Sequence, residues 1–315
     1  MKKLLLPLLA ILLVTAIGWN YLSIPGAAHW SEDELRLIAS LSLDALPPLS
    51  PDPSNRVADD PAAAELGHRL YFDTRLSSNG QVACATCHKP ELMFTDGLPL
   101  AVGVGIGPAH TPSLVGLAYS PWFYWDGRKD SQWAQALAPL EAKHEHATDR
   151  IQLLQLLSTD SDYRVMYEDI FGELPSASNL PKTGTPEGDE EQQANWKTLD
   201  TSTQRAISEF FANLGKAIAA YERKIMPGAG RFDEYIAQLA TNPADTEALN
   251  KTETADLRLF IDKGQCVSCH NRPPFSNQDF HTTVVPASSC PIPTSARAER
   301  GPTSRSYHSH LPPRH

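Results

Sequence analysis

Cys84-Ala85-Thr86-Cys87-His88 and Cys266-Val267-Ser268-Cys269-His270 are the two stretches that decide how this chain of 315 residues is organised. Each sets two thiols one turn of backbone apart and follows the second at once with an imidazole. That arrangement matches the chemistry of haem attachment. The thiols add across two vinyl groups, and the histidine lies under the porphyrin face and offers its nitrogen to iron. Two competing readings fit less well. A four-thiolate zinc site draws its pairs from much closer in sequence than these stand. A thioredoxin-like pair needs a βαβ setting, which the surrounding pattern lacks. The sequence therefore predicts two covalently bound haem c groups. Cys84, Cys87, Cys266 and Cys269 are the attachment points, and His88 and His270 the iron ligands.

Such attachment is completed outside the cytoplasm, and the N-terminus agrees. Lys2 and Lys3 precede an apolar run from Leu4 to Ile17, and the small residues Pro25-Gly26-Ala27-Ala28 follow. A basic start, a short apolar core and small residues afterwards describe an export signal. Extended through Leu22, the same segment would serve as an uncleaved anchor, with Trp19 and Tyr21 at the membrane interface. The expected location is the periplasm, with anchoring to the inner membrane as the variant. A formal charge of −10 leaves no basic surplus for phosphates, so general nucleic-acid binding is excluded. The same charge suits a basic redox partner.

Outward from the two motifs the pattern is helical. Asp60-Pro61 reads as an N-cap with proline at N1, opening a helix through Leu70. Helical spacing returns over Gln132–Leu140 and over Ile151–Leu157, with Thr148 as the N-cap of the latter. Ile207, Phe210, Phe211, Leu214, Ile218, Tyr221 and Ile225 mark a long amphipathic helix that stops near Pro227-Gly228. A shorter helix over Thr254–Lys263 leads into the second motif. The stretch Asn179–Gln193 is polar and reads as a surface excursion or inter-domain linker. Alternating strand patterns are absent. The fold class is therefore mainly α, with two tandem cytochrome c-like haem domains, the second incomplete. The expected divisions are 1–28 signal or anchor, 29–59 linker and 60–195 first haem domain. Residues 196–283 form the second haem domain, and 284–315 an aberrant, unfolded tail.

The text between the motifs is more specific. Tyr71-Phe72-Asp73-Thr74-Arg75-Leu76-Ser77, Phe94-Thr95-Asp96-Gly97, Thr111-Pro112-Ser113-Leu114 and Trp125-Asp126-Gly127-Arg128 occur in order around the first motif. Ala217–Tyr221 with Arg223, then Gly264-Gln265, precede the second. Over about residues 60 to 282 the chain resembles the bacterial dihaem cytochrome c peroxidases and the related MauG enzymes. The resemblance implies that Trp125 stands between the two haems and carries electrons. It implies that Gln135, Pro139 and Glu145 line the peroxide-binding pocket over the first haem. Gln135 and Pro139, at i and i+4, share one helical face. Glu145 is implied as the group that takes a proton from peroxide and returns it to the leaving oxygen. Its neighbours His144 and His146 carry no assignment.

Two departures qualify the resemblance. Dihaem peroxidases commonly place a distal histidine on the first haem from the loop after its motif. Val104 stands there, and no histidine occurs between His88 and His110. An open first haem without reductive activation is the expectation, as in MauG. His110 occupies the place where many relatives have an Asn that binds an inter-domain calcium ion, which sets calcium against the local sequence. The glycines of Val102-Gly103-Val104-Gly105-Ile106-Gly107 mimic a nucleotide loop, but neither strand nor helix flanks them as that loop requires. Beyond Thr282 the family pattern fails, and a shifted reading frame or truncated gene near Thr283–Val285 is the expectation. Cys290 is left without a role.

The function expected is a dihaem c-type peroxidase, an oxidoreductase reducing hydrogen peroxide with electrons from a small donor protein, a cytochrome c or a cupredoxin. The alternatives are MauG-like oxidation of a protein or organic substrate, and plain electron transfer without peroxide chemistry.

Overall fold

The computed structural model describes residues 30–242 and 246–281. The signal or anchor segment, the tail from 284 and Cys290 lie outside the described residues. Within them the chain is mainly α, with three isolated bridges and no strand. In order the helices are α1 (Glu32–Ala39), α2 (Pro61–Phe72), the single turn α3 (Cys84–Cys87), α4 (Gln132–Glu141), α5 (Arg150–Thr159), α6 (Ser161–Phe171), α7 (Glu190–Lys197), α8 (Thr201–Glu222), α9 (Arg231–Thr241) and α10 (Lys251–Ile261). No helix among the described residues is long and apolar enough to cross a membrane.

The chain divides into two compact units. Among the described residues, one holds Leu49–Pro227 together with Phe280 and His281, and the other holds Trp30–Pro48 together with the described part of Gly228–Asp279. The crossings fall in the proline-rich connector and at Pro227-Gly228, where local sequence disfavours any regular element.

In the unit with the first motif, α8 is the central strut. Its apolar face buries Ile207, Phe210, Phe211, Leu214, Ala217 and Ile218 against Leu66 and Leu70 of α2, Leu140 of α4 and Leu153, Leu154 and Leu157 of α5. Two glycines set the closeness of these crossings. A Cβ on Gly67 would stand 1.9 Å from the Ala217 carbonyl oxygen, and one on Gly215 would stand 2.5 Å from that of Trp133. Backbone therefore meets backbone at both places. Asp60 caps α2, its carboxylate accepting from Ala62 N at 2.8 Å, as the sequence predicts.

The unit with the second motif has a smaller core. Ile38 and Leu41 pack with Tyr235, Leu239, Ala248 and Ile261, and Val267 of the motif lies against this cluster. Trp30 donates from its indole to the Tyr235 hydroxyl at 2.7 Å, and the Arg258 guanidinium sits 4.3 Å from the Trp30 ring centroid.

Several expectations change here. The 29–59 stretch is more than a linker, because Ser31 and Glu34 form a capping box that starts α1, and α1 joins the second unit's core. The division expected at 195/196 does not match the packing. Residues 201–222, assigned to the second haem domain, form α8 and build the core around the first motif. An amphipathic helix announces that one face is buried, not which elements bury it. The N-cap of α5 is Asp149, not Thr148, and α10 begins at Lys251 under an Asn250–Glu253 capping box.

The polar excursion 179–193 is tied down by one buried carboxylate. Asp149 accepts from Ile151 N at 3.0 Å, Gln152 N at 3.1 Å, Gly184 N at 3.0 Å, Gln192 Nε2 at 3.3 Å and the Thr183 hydroxyl. Thr185, whose hydroxyl donates to Glu141, is buried as well.

Candidate active site

The two Cys-x-x-Cys-His segments are built alike. In the first, Cys84–Cys87 forms one helical turn, and His88 N closes it on the Cys84 carbonyl at 2.8 Å. In the second, Cys266–Ser268 is a 3₁₀ turn closed by His270 N on the Cys266 carbonyl at 2.9 Å. His88 donates from Nδ1 to the Phe94 carbonyl at 3.0 Å, and His270 from Nδ1 to the Phe275 carbonyl at 3.0 Å. Both acceptor phenylalanines are left-handed, with φ of 58° and 51°. The repeated strained residue turns its carbonyl back onto the imidazole, the kind of backbone strain that gathers at functional sites. A carbonyl fixes the proton on Nδ1 and leaves Nε2 free as a ligand atom.

This donor set suits a covalent haem. All four motif cysteines are free thiols. Burial pushes the Cys84 thiol far up and Cys87 to about 11, so both are protonated and uncharged. Burial also lowers the pKa of His88, keeping a neutral imidazole available. The Cys87 sulfur lies 3.5 Å from the Val102 carbonyl oxygen. Met93, Val102, Val104 and Ile106, on the segments flanking these groups, present open apolar surface. Such surface is what a porphyrin ring covers.

The three residues expected to act on peroxide belong to the same unit. Pro139 lies inside α4, so the Gln135 carbonyl receives no helical hydrogen bond from it. After α4 the chain folds back on the helix end. Glu145 N and Ala147 N both bond the Ala142 carbonyl, His146 N bonds that of Pro139, and Thr148 N that of Leu140. This turn packs Glu145 against the C-terminal end of α4. The glycine loop closes over it, with Val104 N donating to the Glu145 carbonyl at 2.8 Å and Gly105 N to that of His144 at 3.1 Å. Gly103 allows the approach, because a Cβ there would stand 2.7 Å from both of those carbonyl oxygens. The loop that resembles a phosphate cradle is thus a lid on the Glu145 turn.

Tyr124 lies near Gln135 and Glu145, and no motif in the sequence signals it. It holds a left-handed backbone at φ 69°, and its phenol is half-buried. The Arg128 guanidinium lies 3.4 Å from its ring centroid. Burial and the Glu145 charge push the Tyr124 pKa up to about 12, so it stays a neutral hydrogen-bonding group. Burial raises the Glu145 pKa, and the charges of His144 and Arg128 draw it part of the way back. His144 Nε2 is 3.6 Å from the Glu145 carboxylate. The Glu145 charge in turn raises the pKa of both Cys84 and Cys87, which places it near the thioether positions. A carboxyl whose pKa burial raises, with a phenol nearby, can accept and return a proton.

Trp125 is 58% exposed, so it is no core aromatic. Its indole donates to the His110 carbonyl at 3.3 Å, and its ring centroid is 4.7 Å from that of His110. His110 is thereby committed to supporting Trp125, with Nδ1 on the Thr111 carbonyl at 3.1 Å. His146, which sequence leaves unassigned, is buried.

Comparison with known proteins adds the following. A family model described as di-haem cytochrome c peroxidase matches residues 61–241. The methylamine utilization protein MauG of Methylorubrum extorquens is 30% identical over 224 residues, covering 70% of this chain and 52% of that protein. Cytochrome c551 peroxidase of Pseudomonas aeruginosa is 29% identical over 210 residues, covering 66% and 49%. Among solved structures, the diheme peroxidase BthA of Burkholderia thailandensis aligns with a TM-score of 0.57 at 23% identity, over 75% of this chain and 57% of that one. That last likeness is one of fold. The chain spans about half the length of the curated relatives it matches.

Proposed function

The chain belongs to the di-haem cytochrome c peroxidase family, and from that premise we propose that it reduces hydrogen peroxide to water in the periplasm. The electrons come from a small redox protein, a cytochrome c or a cupredoxin. The observation that supports the reading is the Glu145 turn, clamped by Val104 N and Gly105 N to the loop that follows the first Cys-x-x-Cys-His turn, with the Glu145 charge near enough to bear on Cys84, Cys87 and Tyr124. In outline, one peroxide, two electrons and two protons give two waters.

Cys84, Cys87 and His88 hold one covalent haem, and Cys266, Cys269 and His270 the other. When bound, the first supplies a redox iron for the peroxide and the second an entry point for electrons. The protein's own groups do the rest. The Gln135 amide orients the peroxide. The Glu145 carboxylate accepts the proton from one peroxide oxygen and returns it to the oxygen that leaves as water. The Glu145 side chain is half-buried under the glycine loop, which shields part of that transfer from bulk water. Trp125, exposed and backed by His110, is the residue on the electron path.

Replacing Glu145 by Gln in protein carrying both haems removes the proton acceptor while keeping size and amide-like polarity. Donor-dependent peroxide turnover is expected to fall by about 10²- to 10⁴-fold with unchanged haem spectra. Unchanged turnover would falsify the assignment. A second reading, oxidation of a protein or organic substrate, draws on Val104, whose backbone is bonded to Glu145 where many relatives carry a distal histidine. Peroxide consumption that ignores a reduced donor but needs an organic or protein substrate would favour it.

A further inference from the structure

We propose that Tyr71 is a positioning residue for the first haem, its hydroxyl clamping His88 and so lowering the reduction potential of that haem. The inference rests on the reading of His88 as the iron ligand, and not on peroxide turnover. Tyr71 lies on the last turn of α2 and is fully buried, in a cluster with Leu114 and Ile225 against which Cys84 and Phe94 pack. Its hydroxyl donates to the His88 carbonyl at 2.8 Å. Burial pushes the phenol pKa up, so the donor is kept over the ordinary pH range. The ring is held as firmly as the hydroxyl. Its centroid lies 5.0 Å from that of Phe72, 5.1 Å from that of Tyr221 and 6.4 Å from that of Phe94, each edge to face. The helix that carries it is seated on α8 by the close backbone approach at Gly67.

Tyr71 therefore meets both partners of one hydrogen bond. Its hydroxyl is on the His88 carbonyl and its ring is against the Phe94 ring, while His88 Nδ1 bonds the Phe94 carbonyl at 3.0 Å. Holding that bond firm makes the imidazole a stronger donor to iron, which favours the oxidised form of the haem. The second motif supplies the comparison. His270 Nδ1 bonds the Phe275 carbonyl at 3.0 Å as well, from a Phe275 that is left-handed like Phe94. The rings against Phe275 are those of Phe232 at 5.6 Å and Phe260 at 6.1 Å, and neither carries a hydroxyl. Two motifs alike in their own backbone thus differ in the phenol behind the histidine.

The test uses the two-haem protein and follows both potentials by optical and EPR redox titration, with the iron–histidine stretch of the reduced form beside them. Tyr71→Phe keeps the ring and removes the donor. Tyr221→Phe is the matched control, since it takes a hydroxyl from the same cluster and leaves the one on His88. In Tyr71→Phe the one-electron equilibrium of the first haem is expected to move toward the reduced form by about 3- to 10-fold, the size of one hydrogen bond. That is a rise of about 30–60 mV. The iron–histidine stretch of that haem is expected to fall, with the second haem unmoved and Tyr221→Phe matching the parent. An unmoved potential and stretch with both haems in place overturn the proposal. So does an equal shift at both haems or in both variants, because a general loosening of the cluster would then be responsible. Should Tyr71→Phe fail to take up haem, 3-fluorotyrosine placed at position 71 answers instead. Its phenol is a stronger donor, so the potential is expected to fall, and a rise or no change overturns the proposal. A potential that depends on Tyr71 in protein without donor-dependent turnover keeps this assignment and sinks the peroxidase reading alone. A parent without haem at Cys84 and Cys87 sinks both.

Discussion

Gly103→Ala puts the coupling between the glycine loop and Glu145 to a direct trial. The new methyl would stand 2.7 Å from the Glu145 and His144 carbonyl oxygens and 2.8 Å from the Glu145 Cα. Relieving such contacts needs about 0.5 Å of separation or more, given ordinary carbon contact distances of about 3.5 Å. The obstructing atoms are backbone, so no side chain can swing aside. The two hydrogen bonds clamping the loop to the turn, from Val104 N and Gly105 N, must stretch together. Overpacking of this kind costs about 1–3 kcal/mol. For a chain of this size that lowers the melting temperature by about 2–10 °C. Moving Glu145 by half an ångström is expected to lower kcat about tenfold, since a 1 Å misplacement costs about 100-fold. Gly105→Ala is the matched control. A Cβ there meets His144 atoms at 3.4 and 3.5 Å, an ordinary contact, and stability within about 0.5 kcal/mol of the parent is expected. Thermal unfolding by circular dichroism and donor-dependent turnover are the two readouts. A Gly103→Ala protein that melts and turns over like the parent refutes the reasoning. Equal losses in both variants refute it too, because loop flexibility rather than the close approach would be responsible.

Glu222, buried and hydrogen-bonded to Gln132, titrates near 7 in the folded chain against an ordinary 4.5, so folding takes up a proton between those values. Its stabilising effect is full below about 4.5 and is lost as pH rises through 7. Urea unfolding should show a decline of up to about 3 kcal/mol that Glu222→Gln abolishes, and parallel curves would contradict it. Asp149→Ala strands five donors at the start of α5 and in the 183–192 segment. A loss of about 3–5 kcal/mol is expected, combining a missing N-cap with unpaired buried donors, and a loss below about 1 kcal/mol would mean water replaces the carboxylate. Tyr124→Phe removes the hydroxyl near Gln135 and Glu145, and kcat is expected to fall about fivefold, the size of one net hydrogen bond, with haem content unchanged. An identical kcat would remove Tyr124 from the pocket.

What the sequence discloses here follows the range of the interaction involved. Covalent haem chemistry is local, so Cys84, Cys87 and His88 could be read from five residues, as could their counterparts at Cys266–His270. Capping is local as well, and Asp60-Pro61 announced α2 correctly. The allegiance of α8 is a long-range fact. Its periodicity fixes a buried face, and only the facing backbones at Gly67 and Gly215 decide that α2 and α4 cover it. The 179–193 stretch reads as a loop because polar composition usually means solvent. A carboxylate more than thirty residues upstream supplies its hydrogen bonds, and no local pattern reports that. Tyr124 and His146 escaped for a similar reason. A lone tyrosine or histidine is common on surfaces, and how far each is covered is decided by segments distant in sequence.

The frame of α2, α4 and α8 meets backbone against backbone, while most of the polar side chains of the proposed peroxide site ride on turns beyond it. Tyr124 and Glu145 sit on the connections at 116–131 and 142–148, and Gln135 belongs to a helix of the frame. Chassis and chemistry are thereby separable. The two connections can be exchanged as cassettes between relatives, with the helices left as they are, and reactivity can drift without the fold having to follow.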